Sequence, residues 1–329
     1  YNFEKITNYI SSLSKLKVLI IGEIIIDEYV YGKVIGKSGK EPVLVTKKIS
    51  SSKFAGGTIA VANHISSFCK EVKVLSYKGS DNINNNFIKK NLQKNVKIET
   101  ILKKDSPSII KTRFIDNYSK NKLYSIYNIN DENLTKDEEI KFIKIIDKNI
   151  HKYDMVAVVD YGHGLLTDKV IKNIEKKSKK LSVNSQLNSF NSSFYSHSKY
   201  KKVDYFCIHD GELRHGFRER YLSTKELIKK LYNKLKVKKI VITLGKEGSI
   251  CFNKNQYVSC PAFVTNPIDT VGAGDALFGI TAACFSKNIP SDITILIGNL
   301  VASKSTTKLG TGNFISKDDL TNYIKYLLN

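Results

Sequence analysis

The chain has 329 residues, 41% hydrophobic and 26% charged, with a formal net charge of +22. That length suits one large α/β domain or two ordinary ones, and no apolar run reaches the roughly 18 residues of a membrane span. Of its 53 basic residues four are Arg (Arg113, Arg214, Arg218, Arg220); base and phosphate readers favour the guanidinium fork, so the charge reads as solvated Lys faces and excludes a dedicated nucleic-acid binder.

The positive field still favours anionic substrates. The five cysteines (Cys69, Cys207, Cys251, Cys260, Cys284) form no CxxC pair and no Cys/His cluster with zinc spacing. With no signal-peptide pattern, and a start at Tyr1 rather than Met, the expectation is a cytoplasmic protein with reduced thiols and more chain upstream.

In chain order, "KVLII" (17–21) is a wholly apolar run ending at Gly22, as in a strand buried on both faces. Next come a helix over 56–68 after a glycine pair, a strand at 72–77, a helix over 83–93 and a strand at 96–102. The alternation resumes with helix 136–149, strand 154–160, helix 168–180 and strand 181–184, then a polar loop to 200. Strand 203–208, helix 224–236, strand 238–244 and a hairpin across 249–260 follow, and helices near 273–287, 292–308 and 316–328 close the chain. Strands alternating with helices imply right-handed crossovers and a doubly wound, mainly parallel sheet in a single α/β domain over 1–329. Two stretches break the rhythm: 29–50 and 109–129 alternate apolar and polar residues with turn signals, as half-exposed antiparallel strands do. They predict a small β lid, from about 28–50 and 108–130, inserted at the sheet's active edge. "GKVIGKS" (32–38) imitates a phosphate-binding loop, but it has three residues between its glycines where four are needed.

The chemistry concentrates in "DTVGAGDALFG" (269–279). Apolar periodicity after Asp275 starts a helix near Ala273, and the first turn of a helix carries unpaired N–H groups at the positive end of its dipole. Gly272 and Gly274 lack a Cβ, so an anion can approach. Asp275 then suits a general base for an attacking hydroxyl, with the N–H groups of 272–275 as an anion hole for phosphoryl transfer. Asp27 follows the first strand, where ligands bind in open α/β sheets. Lys111 and Arg113 alternate on one face of a lid strand and suit a phosphate clamp.

The string "DTVGAGDALFG" resembles the signature of the ribokinase-like (PfkB) family of carbohydrate kinases. "VLIIGEIIIDEYVYG", "AGGTIAVANHIS", "KTRFID", "VVDYGHGLL", "VITLGKEGSI" and "IGNLVAS" extend the resemblance over 17 to about 310, closest to the heptose-7-phosphate kinase branch. It implies ATP and Mg²⁺ as cofactors and a sugar or sugar-phosphate hydroxyl as acceptor, for cell-surface glycan (lipopolysaccharide) precursors. By the same resemblance Asp275 is the base, and Gly272, Ala273 and Gly274 line the anion hole. Asp27, Gly56, Gly57, Asn63, Asp160 and His163 join Lys111 and Arg113 on the sugar. Thr243, Gly245, Gly248 and Asn299 serve the nucleotide, Glu212 organises Mg²⁺ indirectly, and Asp269 lies near a monovalent cation (K⁺). A homodimer through the lid and an upstream nucleotidyltransferase domain are implied as partners, with no nucleic acid and no membrane.

Two positions depart from the branch. Ala60 stands where an Asn follows the glycine pair, with Asn63 three residues on, and His209 replaces the Asn of Asn-x-x-Glu, leaving His209 or Asp210 to compensate through a water. A kinase of the same fold for another sugar, sugar phosphate or nucleoside, or a non-catalytic sugar or nucleotide sensor, are the alternatives; retention of Asp275 opposes the sensor.

Overall fold

The computed structural model describes residues 2–81, 85–264 and 266–328. The chain opens with α1 (Phe3–Ser12), β1 (Lys17–Gly22), the long strands β2 (Ile24–Lys37) and β3 (Leu44–Gly57), and α2 (Thr58–Ser66). Then come β4 (Glu71–Lys78), α3 (Asn85–Lys90), β5 (Val96–Leu102), β6 (Ile110–Asp116), β7 (Lys122–Asn128) and α4 (Lys136–Ile150). β8 (Met155–Asp160), α5 (Asp168–Lys177), β9 (Leu181–Ser185), β10 (Lys202–His209), α6 (Asp210–Phe217) and α7 (Thr224–Lys234) follow. The last stretch holds β11 (Lys236–Thr243), β12 (Ser249–Asn253), β13 (Gln256–Cys260), α8 (Ala273–Ser286), α9 (Ser291–Ser305) and α10 (Lys317–Leu328).

Among the described residues, nine strands form one sheet in the order β13-β12-β11-β10-β9-β8-β1-β4-β5. Every pair from β11 to β5 is parallel, and β12 and β13 return antiparallel at one edge. The apolar runs of β1 and β8 are buried on both faces, which is why they lack the alternation of a half-exposed strand. α2, α8 and α9 pack together, apolar all round, on one side of that core.

The lid is a separate four-stranded sheet, β3-β2-β6-β7. Two expectations need correction. β2 and β6 pair in parallel, not antiparallel, because both leave the C-terminal edge of the main sheet in the same direction. The lid strands also begin and end nearer the core than the turn signals suggest: β2 starts at Ile24 and β3 runs through Gly56 and Gly57, so the helix starts at Thr58. Asp27 therefore lies within a lid strand, paired with Phe54 and Lys111, and does not end the first core strand. Gly57 makes this corner at φ +60, with Glu23 O and Ile25 N too close for any Cβ. Positions 83 and 84 of the expected helix over 83–93 lie outside the described residues.

Candidate active site

The helices differ at their N-termini. α4 and α7 close with capping boxes, Thr135 with Glu138 and Ser223 with Glu226. α8 begins after Gly272, held at φ +85, with no side-chain cap. The Ala273 N–H turns back to Thr270 O at 3.2 Å, which corrects the expectation that it faces an anion. Among the described residues no hydrogen bond is made by the N–H of Gly272, Gly274 or Asp275. A Cβ on Gly274 would meet nothing within 4 Å. The mouth of α8 is open, and it faces a cavity of about 730 Å³, within the usual range for a small-molecule site.

Asp275 lies on that cavity's wall although only 7% exposed. Its Oδ1 accepts from the Tyr161 hydroxyl at 3.0 Å and from Gln186 Nε2 at 2.8 Å. Burial pushes its pKa up to about 7; the two donors and Lys111 oppose that, and Asp27 adds to it. A carboxylate poised near neutrality, beside unpaired N–H groups, suits proton abstraction coupled to anion stabilisation.

Across the cavity, Asp27, Gly57, Lys111 and Arg113 line the lid side. Arg113 is not a free clamp: its guanidinium pairs with Asp27 Oδ1, a buried ion pair. Lys111 is 8% exposed, with Nζ 5.4 Å from the Tyr127 ring centre and 5.9 Å from that of Tyr161. Burial lowers its pKa and Asp27 opposes this; among the described residues no carboxylate pairs with it. Gly56 is behind the wall, where its missing Cβ makes room for Asp27 Oδ2.

The opposite wall carries Thr243 at the end of β11, Gly245, Gly248 and, on α9, Asn299. The amide nitrogen of Asn299 donates to Ser249 Oγ at 2.7 Å and Ile295 O at 2.8 Å, which leaves its Oδ1 to serve a ligand. Glu212 also lines the cavity; its oxygens accept the N–H of His209 at 2.7 Å and of Leu187 at 2.9 Å, and burial pushes its pKa up to about 7. His209 is on the wall too. Asp210 is not: its carboxylate is spent on Arg214 at 2.6 Å and Thr224 at 2.7 Å, so it has little left to replace the missing Asn.

Four expected site residues are turned elsewhere. Asn63 donates to Asn91 O at 2.8 Å and accepts from Gln93 N, on the far side of α2. Asp160 is taken by Tyr200, Lys199 and the Gly162 N–H. His163 is fully buried behind Lys111; burial lowers its pKa to about 3 and keeps the ring neutral. Asp269, three residues ahead of Gly272, is gripped by the lid: Tyr29 Oη donates at 2.5 Å and Lys122 Nζ at 3.1 Å, while the N–H groups of Gly310 and Val271 donate as well. Burial would push Asp269 up, but these donors and the Lys122 charge hold it below the usual carboxylate range. Reading the sequence missed Tyr161 and Gln186. Tyr161 directly follows the C-terminal end of β8, a position that carries a signal; Gln186 belongs to a polar loop and carries none.

Comparisons with known proteins place the whole chain. Residues 15–318 match the pfkB family carbohydrate kinase profile. The chain is 27% identical over 316 residues to the Bifunctional protein HldE of Campylobacter jejuni (strain RM1221), and 28% over 303 residues to that of Aliarcobacter butzleri (strain RM4018). These alignments cover 95% and 90% of this chain but 65% and 62% of those relatives, so it spans under two thirds of their length. Among solved structures, Escherichia coli phosphofructokinase-2 in complex with potassium is similar at TM-score 0.76 and 16% identity, over 96% of this chain and 100% of that one. Thermotoga maritima ribokinase is similar at TM-score 0.73 and 18% identity, over 94% and 99%. The two solved structures share this fold, and the family match runs over residues 15–318, nearly the whole chain, which belongs to the pfkB family of carbohydrate kinases.

Proposed function

We propose that this chain transfers the γ-phosphoryl group of ATP to a hydroxyl of a phosphorylated sugar, a heptose 7-phosphate accepting at O1, for cell-surface glycan precursors made in the cytoplasm. The observation that carries this reading is the shared cavity: the Asp275 carboxylate, the open mouth of α8, the Asp27–Arg113 pair and the Lys111 ammonium all face it. Similarity to the two HldE proteins supports the heptose branch that the sequence motifs resemble.

In this reading Asp27 accepts hydrogen bonds from sugar hydroxyls, with Arg113 holding its orientation. Lys111 balances the substrate's own phosphate. Asp275 takes the proton of the attacking hydroxyl while the N–H groups of Gly272, Gly274 and Asp275 hold the transferring phosphoryl. Mg²⁺ riding on the phosphates would neutralise charge as it develops. Glu212 would hold it through water: each of its oxygens takes one backbone N–H and keeps a further lone pair. A monovalent cation near Asp269 would have to use backbone carbonyls, because the carboxylate is already occupied. The reading also includes a nucleotidyltransferase domain in the full-length protein. It includes a homodimer as well, burying the exposed lid side chains Ile35, Leu44, Ile49, Tyr124 and Ile126.

The test is ADP release from purified protein with ATP and a panel of sugars and sugar phosphates. Turnover with heptose 7-phosphate at the highest kcat/KM is expected; equal rates with neutral sugars would remove the phosphorylated substrate. Lys111→Met should raise KM for the phosphorylated sugar about tenfold or more, on the strength of a charge-assisted contact, with KM for ATP unchanged. An equal loss on a non-phosphorylated acceptor would show that Lys111 does not read the phosphate.

A further inference from the structure

We infer that Gln186 and Tyr161 are positioning residues for Asp275, fixing one carboxylate oxygen so that the other receives the acceptor's proton; this rests on the kinase reading above. Both donate to the same atom, Oδ1, from 2.8 and 3.0 Å. Among the described residues no donor reaches Oδ2. Two fixed donors on one oxygen stop the carboxylate from rotating and leave the lone pairs of the second oxygen unspent. Gln186 is neutral. Tyr161 stays protonated, because burial and the charge of Asp275 push its ionisation well above the ordinary range. Each is therefore a donor throughout the working pH range.

The two donors are held in their turn. The Gln186 N–H donates to Asp160 O at 2.8 Å, continuing the β8–β9 pairing one residue past the strand. Its amide nitrogen also donates to Asn184 Oδ1 at 3.1 Å. The Tyr161 N–H donates at 3.2 Å to Glu23 Oε2, a fully buried carboxylate at the junction of β1 and β2. Two asparagines of the 186–200 loop finish the brace: Asn188 Nδ2 donates to Tyr161 O at 2.6 Å, and Asn191 Nδ2 to Gln186 O at 2.9 Å. The loop that looks in sequence like a polar detour thus holds the backbone of both residues behind the base. It gives neutral donors where a cation would suppress basicity more strongly.

The charged and titratable groups facing Asp275 are Asp27 on β2, Lys111 on β6, Tyr161 after β8 and Cys207 on β10, whose thiol stays neutral because burial pushes it up to about 12. Removing a donor leaves those charges in place and takes away stabilisation of the charged carboxylate alone. Its pKa must then rise, and the base is protonated over more of the neutral range.

The experiment uses the full chain labelled with carboxyl-¹³C aspartate, the Asp275 resonance being the one absent from Asp275→Asn. In Tyr161→Phe and in Gln186→Leu its titration midpoint is expected to move up by about one pH unit, the loss of one hydrogen bond to a charged group. kcat at pH 7 should fall about tenfold, with KM for ATP unchanged and partial recovery at higher pH. Tyr161→Phe removes a single oxygen, so it reports even if the Gln186 variant folds poorly. A midpoint that stays put or falls in Tyr161→Phe overturns the assignment. A wild-type chain inactive on every sugar would end the kinase reading, and the carboxyl titration would still decide this one.

Discussion

Asp275→Asn is expected to lose phosphoryl transfer by about 10²-fold or more, to bind ATP as before, and to melt at a higher temperature than the parent above pH 7. The first part follows from the base assignment: Asn keeps the shape of Asp and cannot take a proton. The second follows because the wall around Thr243 and Asn299, where the proposed reading seats ATP, does not involve the carboxylate. The third is a linkage argument. Burial raises Asp275 from 3.8 to about 7, so between those values the folded chain holds a proton that the unfolded chain has released. Stability must then fall as pH rises through that window and settle at its reduced level above about 7. An uncharged Asn removes the penalty, which is already net of the two hydrogen bonds, a gain on the order of 2–4 kcal/mol. The same ionisation sets the rate of the parent: a base must be charged, so kcat should fall as pH drops through about 7. Melting curves and rates across pH check both. Normal turnover by the Asn variant, or an unchanged melting temperature at pH 8, would refute the account of this carboxylate.

Gly274→Val should be nearly as damaging, for a different reason. A Cβ there meets nothing within 4 Å outside its own turn of helix, so the fold is expected to tolerate Val, apart from the small cost of a β-branched residue in a first helical turn. The new methyl groups would instead fill the space before the N–H groups of Gly274 and Asp275, where the proposed reaction seats the transferring phosphoryl. Losing such donors costs about 10²–10³ in kcat. A circular-dichroism melt close to the parent's, combined with that loss, is the expected pair of results. If Val at this position works at the parental rate, the phosphoryl group is held elsewhere. Gly272 would be a poorer probe, because its φ of +85 strains any other residue and Thr311 Cγ2 stands 3.0 Å from the added Cβ.

The alternation of apolar strands and amphipathic helices made the parallel sheet legible, because a strand covered on both faces must be apolar throughout, as β1 and β8 are. The uncapped start of α8 was legible too, since two glycines and an acid leave few other uses for a helix mouth. Local pattern could not show what lies across from what. Arg113 shares a strand face with Lys111, yet it pairs with Asp27 because β6 lies parallel to β2 and sets Asp27 opposite Lys111. Asn63 is polar and close to the glycine pair, but a helix buried on every side turns one face away from the cavity. Gln186 is invisible for a related reason: only the pairing of β8 with β9 brings it over the base.

The grip on Asp269 couples two events that a kinase could otherwise keep separate. Tyr29 comes from β2 and Lys122 from β7, and both hold the segment that leads into Gly272. A lid that swings out to admit an acceptor must first let go of that segment. In the proposed reaction the donor phosphate would then be fully aligned only while the acceptor is enclosed, and a water molecule arriving through the open door would find its target out of line.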